Sequence, residues 1–243
     1  MSSEHDCGDA IFFNYQIKFD DGRTKRFEVR LDKDSLDLVA EPRANCPDWT
    51  RLEFHQCPNC PLDPSRHPHC PVAANLVDLI EFFQDSKSYD EGEVWIETRR
   101  RNYVKRAPLQ SAASSLMGIY MVVSGCPVLN KLRPMVETHL PFAAWDETCY
   151  RIISMYLMAQ LFLHQRGQKP DWELDRLVEF FHDVYQVNSA FAQRLDAIKV
   201  KDGDANLNAI SILNASVSIT EMTIEAKDLA HWENLFLKHW GIE

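Results

Sequence analysis

The chain is poor in glycine, with 8 in 243 residues, and has neither a low-complexity stretch nor an internal repeat. Collagen-like, solenoid and wholly disordered architectures are thereby excluded. Basic charge is not in excess: 26 Lys and Arg stand against 36 Asp and Glu, a formal net charge of −10. Gripping nucleic acid or an anionic membrane takes the opposite sign, so neither is expected as a partner. The longest nearly apolar stretch, Ile152 to Leu163, is interrupted by Ser154 and Gln160. It falls short of the roughly 20 residues that span a bilayer and reads as a buried core helix. Residues 1–9 are polar and acidic, without the basic-to-apolar progression of a secretory leader, which predicts a cytoplasmic protein. Nor is there a Gly-rich phosphate loop, a serine nucleophile elbow or a zinc-protease helix.

What is present is enough apolar material for a substantial core: 45% of the residues are hydrophobic and 11% aromatic. A chain of this length buries roughly 70–75% of its unfolded surface and needs no covalent staple to fold. In the first hundred residues the pattern has period two. Phe13, Tyr15, Ile17 and Phe19 alternate with polar residues, Asp20-Asp21-Gly22 turns the chain, and Phe27, Val29 and Leu31 alternate back, predicting a hairpin over 11–31. Leu52 and Phe54 suggest a further strand at 49–54, and 92–105 reads as one strand or a hairpin. Between them, Val72, Leu76, Leu79, Ile80 and Phe83 mark an amphipathic helix over 72–85. From 108 onward the period is helical, with candidate helices at 109–124, 127–139, 144–166, 172–199, 206–217 and 220–239, separated by Gly and Pro. The fold expected is α+β: a small β-containing module over 10–107 with a Cys/His metal loop, followed by a helical bundle over 108–243. Pattern alone leaves open whether the two share one core.

The strongest chemical signal lies at 46–70, where Cys46, Cys57, Cys60 and Cys70 occur with His55, His67 and His69. Two Cys separated by two residues can aim both thiolates at one metal, and tetrahedral zinc then needs two further ligands. Cys70 is the natural third, and Cys46, His55, His67 and His69 are the candidates for the fourth. Proline follows each of the four Cys and stiffens the backbone around the site. Zinc is the first reading; a [4Fe–4S] cluster on Cys46, Cys57, Cys60 and Cys70 is the alternative. Seven Cys in a chain without an export signal fit a reducing compartment, where clustered thiols hold metal more often than they form disulfides.

These residues carry a resemblance. His55-Gln-Cys-Pro-Asn-Cys-Pro-Leu, His67-Pro-His-Cys-Pro-Val-Ala, Ser124-Gly-Cys-Pro-Val-Leu, His139-Leu-Pro-Phe-Ala and Gly203-Asp-Ala-Asn-Leu-Asn-Ala resemble motifs of a family of uncharacterised bacterial proteins. The similarity covers most of the chain from about residue 10 and implies a bacterial origin, with no reaction attached.

A second constellation lies in the helical half. Cys126, with Pro127 after it and His139 further on, supplies the elements of a thiolate–imidazole pair, and a helix N-terminus there would lower the thiol pKa. Arg133, Glu147, Arg151, Asp204, Asn206 and Asn208 could complete a polar pocket. The bland alternative has Cys126 as a small core residue. Arg99, Arg100, Arg101, Lys105 and Arg106 form a local basic patch, read as a solvated strand face. The function expected is a zinc-stabilised cytosolic binding or regulatory protein that meets a protein partner. With four protein ligands the metal would keep no open position for catalysis. An iron–sulfur redox or sensing protein is the alternative, and an enzyme using Cys126 and His139 the second alternative.

Overall fold

The computed structural model describes residues 10–40, 43, 45–198, 202–226 and 228–241. Residues 1–9, on which the reading of no leader rests, lie outside them, as do 199 at the end of the expected fourth bundle helix and 227 within the sixth.

The alternating residues form the expected hairpin, β1 (Ala10–Phe19) and β2 (Thr24–Asp32), paired antiparallel with Tyr15 opposite Phe27. Gly22 sits at φ +85°, a conformation that glycine reaches without steric cost. The 92–105 region is a second hairpin, β3 (Glu91–Thr98) and β4 (Asn102–Pro108). Its turn is tied by Thr98 Oγ1, which donates to Arg101 O at 2.7 Å and accepts from Arg101 N at 3.1 Å. The sheet is antiparallel throughout, in the order β2-β1-β3-β4. Phe13, Tyr15, Ile17, Val29, Leu31, Val94 and Ile96 point to one buried face, while Trp95 on the other face is exposed.

The helices cover the buried face. They are α1 (Pro71–Phe83), α2 (Leu109–Val123), α3 (Trp145–Gln165), α4 (Asp175–Ala197), α5 (Ala205–Glu225) and α6 (Ala230–Trp240). Helix α2 packs on α1 and α5, and α4 and α3 also pack on α5. One buried cluster runs from Tyr15 and Ile17 of β1 through Leu76 of α1 and Leu116 of α2 to Phe181 of α4 and Ile210 of α5. No helix among the described residues is long and apolar enough to cross a membrane.

Three local expectations change. The strand expected at 49–54 is a 3-10 turn (Asp48–Thr50) and a single bridge between Arg51 and His69, because no neighbouring strand lies alongside to extend the ladder. The helix expected at 127–139 is 3-10 (Leu129–Thr138), with Pro134 inside it unable to donate an α-type hydrogen bond. The break expected near 218 is absent. Ser216, Thr220 and Thr223 each donate a hydroxyl to the carbonyl four residues back, which lets the polar, β-branched stretch remain within α5.

Gly203 and Asp204 fasten the start of α5 to the chain after α1. A Cβ on Gly203 would stand 2.1 Å from Gln84 O, so the two backbones touch where no side chain fits. Asp204 accepts from Ser88 N at 2.6 Å and from Ser88 Oγ at 3.1 Å, and Asn206 Nδ2 donates to Ile80 O at 2.9 Å. These polar residues are joints of the fold and do not line a pocket with Arg151.

Candidate functional site

The Arg51–His69 bridge lays two distant loop segments side by side, with Leu52 N donating to Pro68 O at 3.0 Å and Cys70 N donating to Thr50 O at 2.7 Å. Cys70 thus sits immediately before α1, whose first residue, Pro71, has no N–H to leave unpaired at the helix start. Cys57 opens a tight turn that closes when Cys60 N donates to Cys57 O at 3.0 Å, preceded by His55 in the left-handed region at φ +50°. Asn59, at the tip, donates to Asp183 O and Oδ1 of α4 at 3.1 Å each, pinning the turn to the bundle.

The arrangement brings Cys57, Cys60 and Cys70 to one small apolar cavity, joined there by Cys126 from the far end of α2. Leu52, Val72, Val187 and Phe191 form its walls, and Arg194 lies against it. All four cysteines are free. Each is followed by proline, but so is Cys46, so the dipeptide alone does not single out Cys126 as a member of the group. The remaining candidates stand apart. Cys46 is not among the lining residues, the His69 ring is hydrogen-bonded to Thr50 Oγ1 at 2.8 Å, and His67 is exposed. His55 borders the cavity but is exposed, its ring edge-on to Phe54. No group of three or more His, Cys, Asp or Glu among the described residues stands close enough to hold one metal ion.

Arg194 is the residue that sequence reasoning missed. It is 2% exposed, yet it carries a guanidinium that donates to Trp49 O, to Arg51 O at 2.8 Å and to Leu52 O at 3.5 Å. Burial lowers its pKa, and the neighbouring Cys70, Cys57 and Cys60 sulfurs act in the opposite direction. Burial, reinforced by the neighbouring sulfurs of Cys70, Cys60 and Cys126, pushes Cys57 up to about 12. For Cys126 the helix-start expectation is half met: the Leu129 and Val128 amides do pull its pKa down, but burial outweighs them and the thiol is raised. A reactive thiolate is therefore not what this position supplies in the metal-free protein.

His139 lies elsewhere, on the wall of a larger cavity among the helices. Its Nε2 is 2.9 Å from Tyr15 Oη and 3.3 Å from Ser115 Oγ, and the two hydroxyls are 2.7 Å apart. Burial, and secondarily the charge of Arg151, hold its pKa down at about 3, so the imidazole is neutral and its partners are hydroxyls. Cys126 and His139 line different cavities. Arg133 pairs with Asp37, and the basic patch is partly neutralised, Arg100 by Glu137 and Arg106 by Asp20 and Glu91.

One family model, described as a domain of unknown function (DUF6901), matches residues 13–237. No curated protein and no solved structure matches the chain significantly.

Proposed function

The chain belongs to the DUF6901 family, a domain of unknown function, and on the geometry of its cysteines we propose that it is an iron–sulfur protein with a redox or sensing role. The observation that carries the reading is the convergence of four Cys-Pro thiols on one apolar cavity beside a buried arginine. In a [4Fe–4S] cluster each cysteine binds a different iron, so four thiols around a common space serve it without any three meeting at one atom. The anionic thiolate centre also gives Arg194 the counter-charge that neutral thiols cannot. Apolar walls line the inner side of the sulfurs, and a nearby cation favours the more negative, reduced form. When bound, the cluster supplies one-electron exchange.

The cavity holds about 20 Å³ as folded, about one water molecule's worth of space. A cluster therefore displaces a wall, and the wall that faces solvent is the turn bearing exposed Pro58 and Pro61. That small volume favours the second reading, a single structural zinc on the same thiols. A protein partner fits either reading, with Trp145, Met158, Phe162 and Trp240 exposed on α3 and α6.

Anaerobic purification followed by elemental and acid-labile sulfide analysis tests the proposal. A brown protein with about four iron and four sulfide per chain is the result expected for Cys₄ ligation of a cubane. A colourless protein with one zinc selects the second reading, and a protein without either removes the site.

A further inference from the structure

The helices line a second, partly open cavity of about 330 Å³, which the sulfur site does not use. Its walls come from α2, the 129–138 segment, α3, α4 and α5, and are largely aliphatic and aromatic. No Asp or Glu is among its lining residues, whereas Lys105 and Arg151 are. Arg151 donates to Met135 O at 3.1 Å and makes no ion pair among the described residues. The carboxylate one turn before it, Glu147, accepts from Ala144 N at 2.8 Å and bears on Arg151 only through its charge, from outside the cavity lining. A partly buried cation beside apolar space is the usual receptor for an anionic head group. Lys105 sits over the Phe142 ring, 5.5 Å from its centroid, at the same cavity.

An independent observation points the same way. Asn188, on α4 beside Phe181 and Val184, is 3% exposed and lines this cavity; its side chain makes no hydrogen bond among the described residues, and its amide keeps access to the cavity space. Its amide faces the cavity, where water or a polar atom of a bound molecule can pair with it. A polar atom of a bound molecule would be its partner. The Tyr15–Ser115–His139 network contributes no charge of its own, because its groups are already paired with one another.

From the cavity, the two cations on its wall and the Asn188 amide that faces it, we infer that this pocket binds a small amphipathic carboxylate. Its head group pairs with Arg151, flanked by Lys105, its apolar body fills the space between the helices, and an oxygen on that body meets Asn188. At about 30 Å³ per water- or methylene-sized group, 330 Å³ holds on the order of ten such groups. The inference does not depend on the metal, and its test is read independently of iron content.

Calorimetric titration of the full chain with decanoate and decylamine reads the head-group preference. Decanoate is expected to bind saturably and decylamine at least tenfold more weakly. Equal affinities, or no decanoate binding, overturn the inference. Arg151→Met is expected to weaken decanoate tenfold or more while leaving decanol binding unchanged; an unchanged decanoate affinity overturns the assignment of the head group. Should Arg151→Met fail to fold, Lys105→Met, at an exposed strand position, is expected to weaken decanoate several-fold, and no effect there counts against it. Finally, 5-hydroxydecanoate is expected to bind more tightly than decanoate to the parent and equally to Asn188→Leu. A preference that survives that substitution removes Asn188 from the site.

Discussion

Replacing Arg194 with Met separates a buried cation that serves a metal centre from one that only ties loops together. In the folded chain the guanidinium donates to three carbonyls of the 49–52 segment, one of them at 2.8 Å and another at a marginal 3.5 Å. Two effective charge-assisted bonds are worth about 1.5–3 kcal/mol each, but much of that is offset because burying a guanidinium costs several kcal/mol. In metal-free protein the net loss is therefore about 1 kcal/mol. With an anionic centre on Cys57, Cys60 and Cys70 the same substitution also removes an attraction. A unit of opposite charge a few ångströms away contributes on the order of 3 kcal/mol at an effective dielectric of about 20. For a chain of this size 1 kcal/mol moves the melting temperature by about 2–4 °C. Circular-dichroism melts under anaerobic conditions should then place Arg194→Met about 10 °C below the metal-loaded parent and about 3 °C below the parent after chelation. Equal shifts in the two states would refute the electrostatic role and leave Arg194 as a tie between α4 and the 49–52 loop.

Acidification tests the burial of His139. Its folded pKa of about 3 lies below the ordinary value of 6.5, so the unfolded chain takes up this proton first. The corresponding stability is full above pH 6.5 and declines at up to about 1.4 kcal/mol per pH unit as pH falls towards 3. Urea unfolding at pH 7, 6 and 5 should show this slope, and His139→Phe should flatten it by one proton's worth. Gly203→Ala forces a methyl to 2.1 Å from Gln84 O; a loss of about 1–3 kcal/mol is expected in chemical denaturation, and a neutral result would contradict the close approach.

Local periodicity was enough to predict the β1–β2 hairpin, because Phe13, Tyr15 and Ile17 face one buried side and the Asp-Asp-Gly turn joins the strands. The buried stripe Leu177, Phe181 and Val184 of α4 was legible for the same reason. Local pattern failed where structure depends on partners remote in sequence. Leu52 and Phe54 alternate like a strand, but only Arg51 finds a bridging residue. At 218 the polar, β-branched run resembles a break until its hydroxyls are paired within the helix. At the sulfur site the Cys57–Cys60 turn and Cys70 could be grouped from spacing, whereas Cys126 could not. It arrives through the packing of α2 against α1 and lies on another stretch of chain. Arg194 was hidden for the opposite reason, since an arginine in a long helix ordinarily faces water and this one is buried against backbone carbonyls of a distant loop.

The membership of the sulfur site is the claim on which the functional reading stands, and comparing metal retention in Cys126→Ser and Cys46→Ser tests it most directly. Both cysteines precede proline, but only Cys126 lines the cavity with Cys57, Cys60 and Cys70. Iron and sulfide measured per chain after identical anaerobic purification should fall sharply in Cys126→Ser and stay at the parental level in Cys46→Ser. A parental level in Cys126→Ser together with loss in Cys46→Ser would contradict the account.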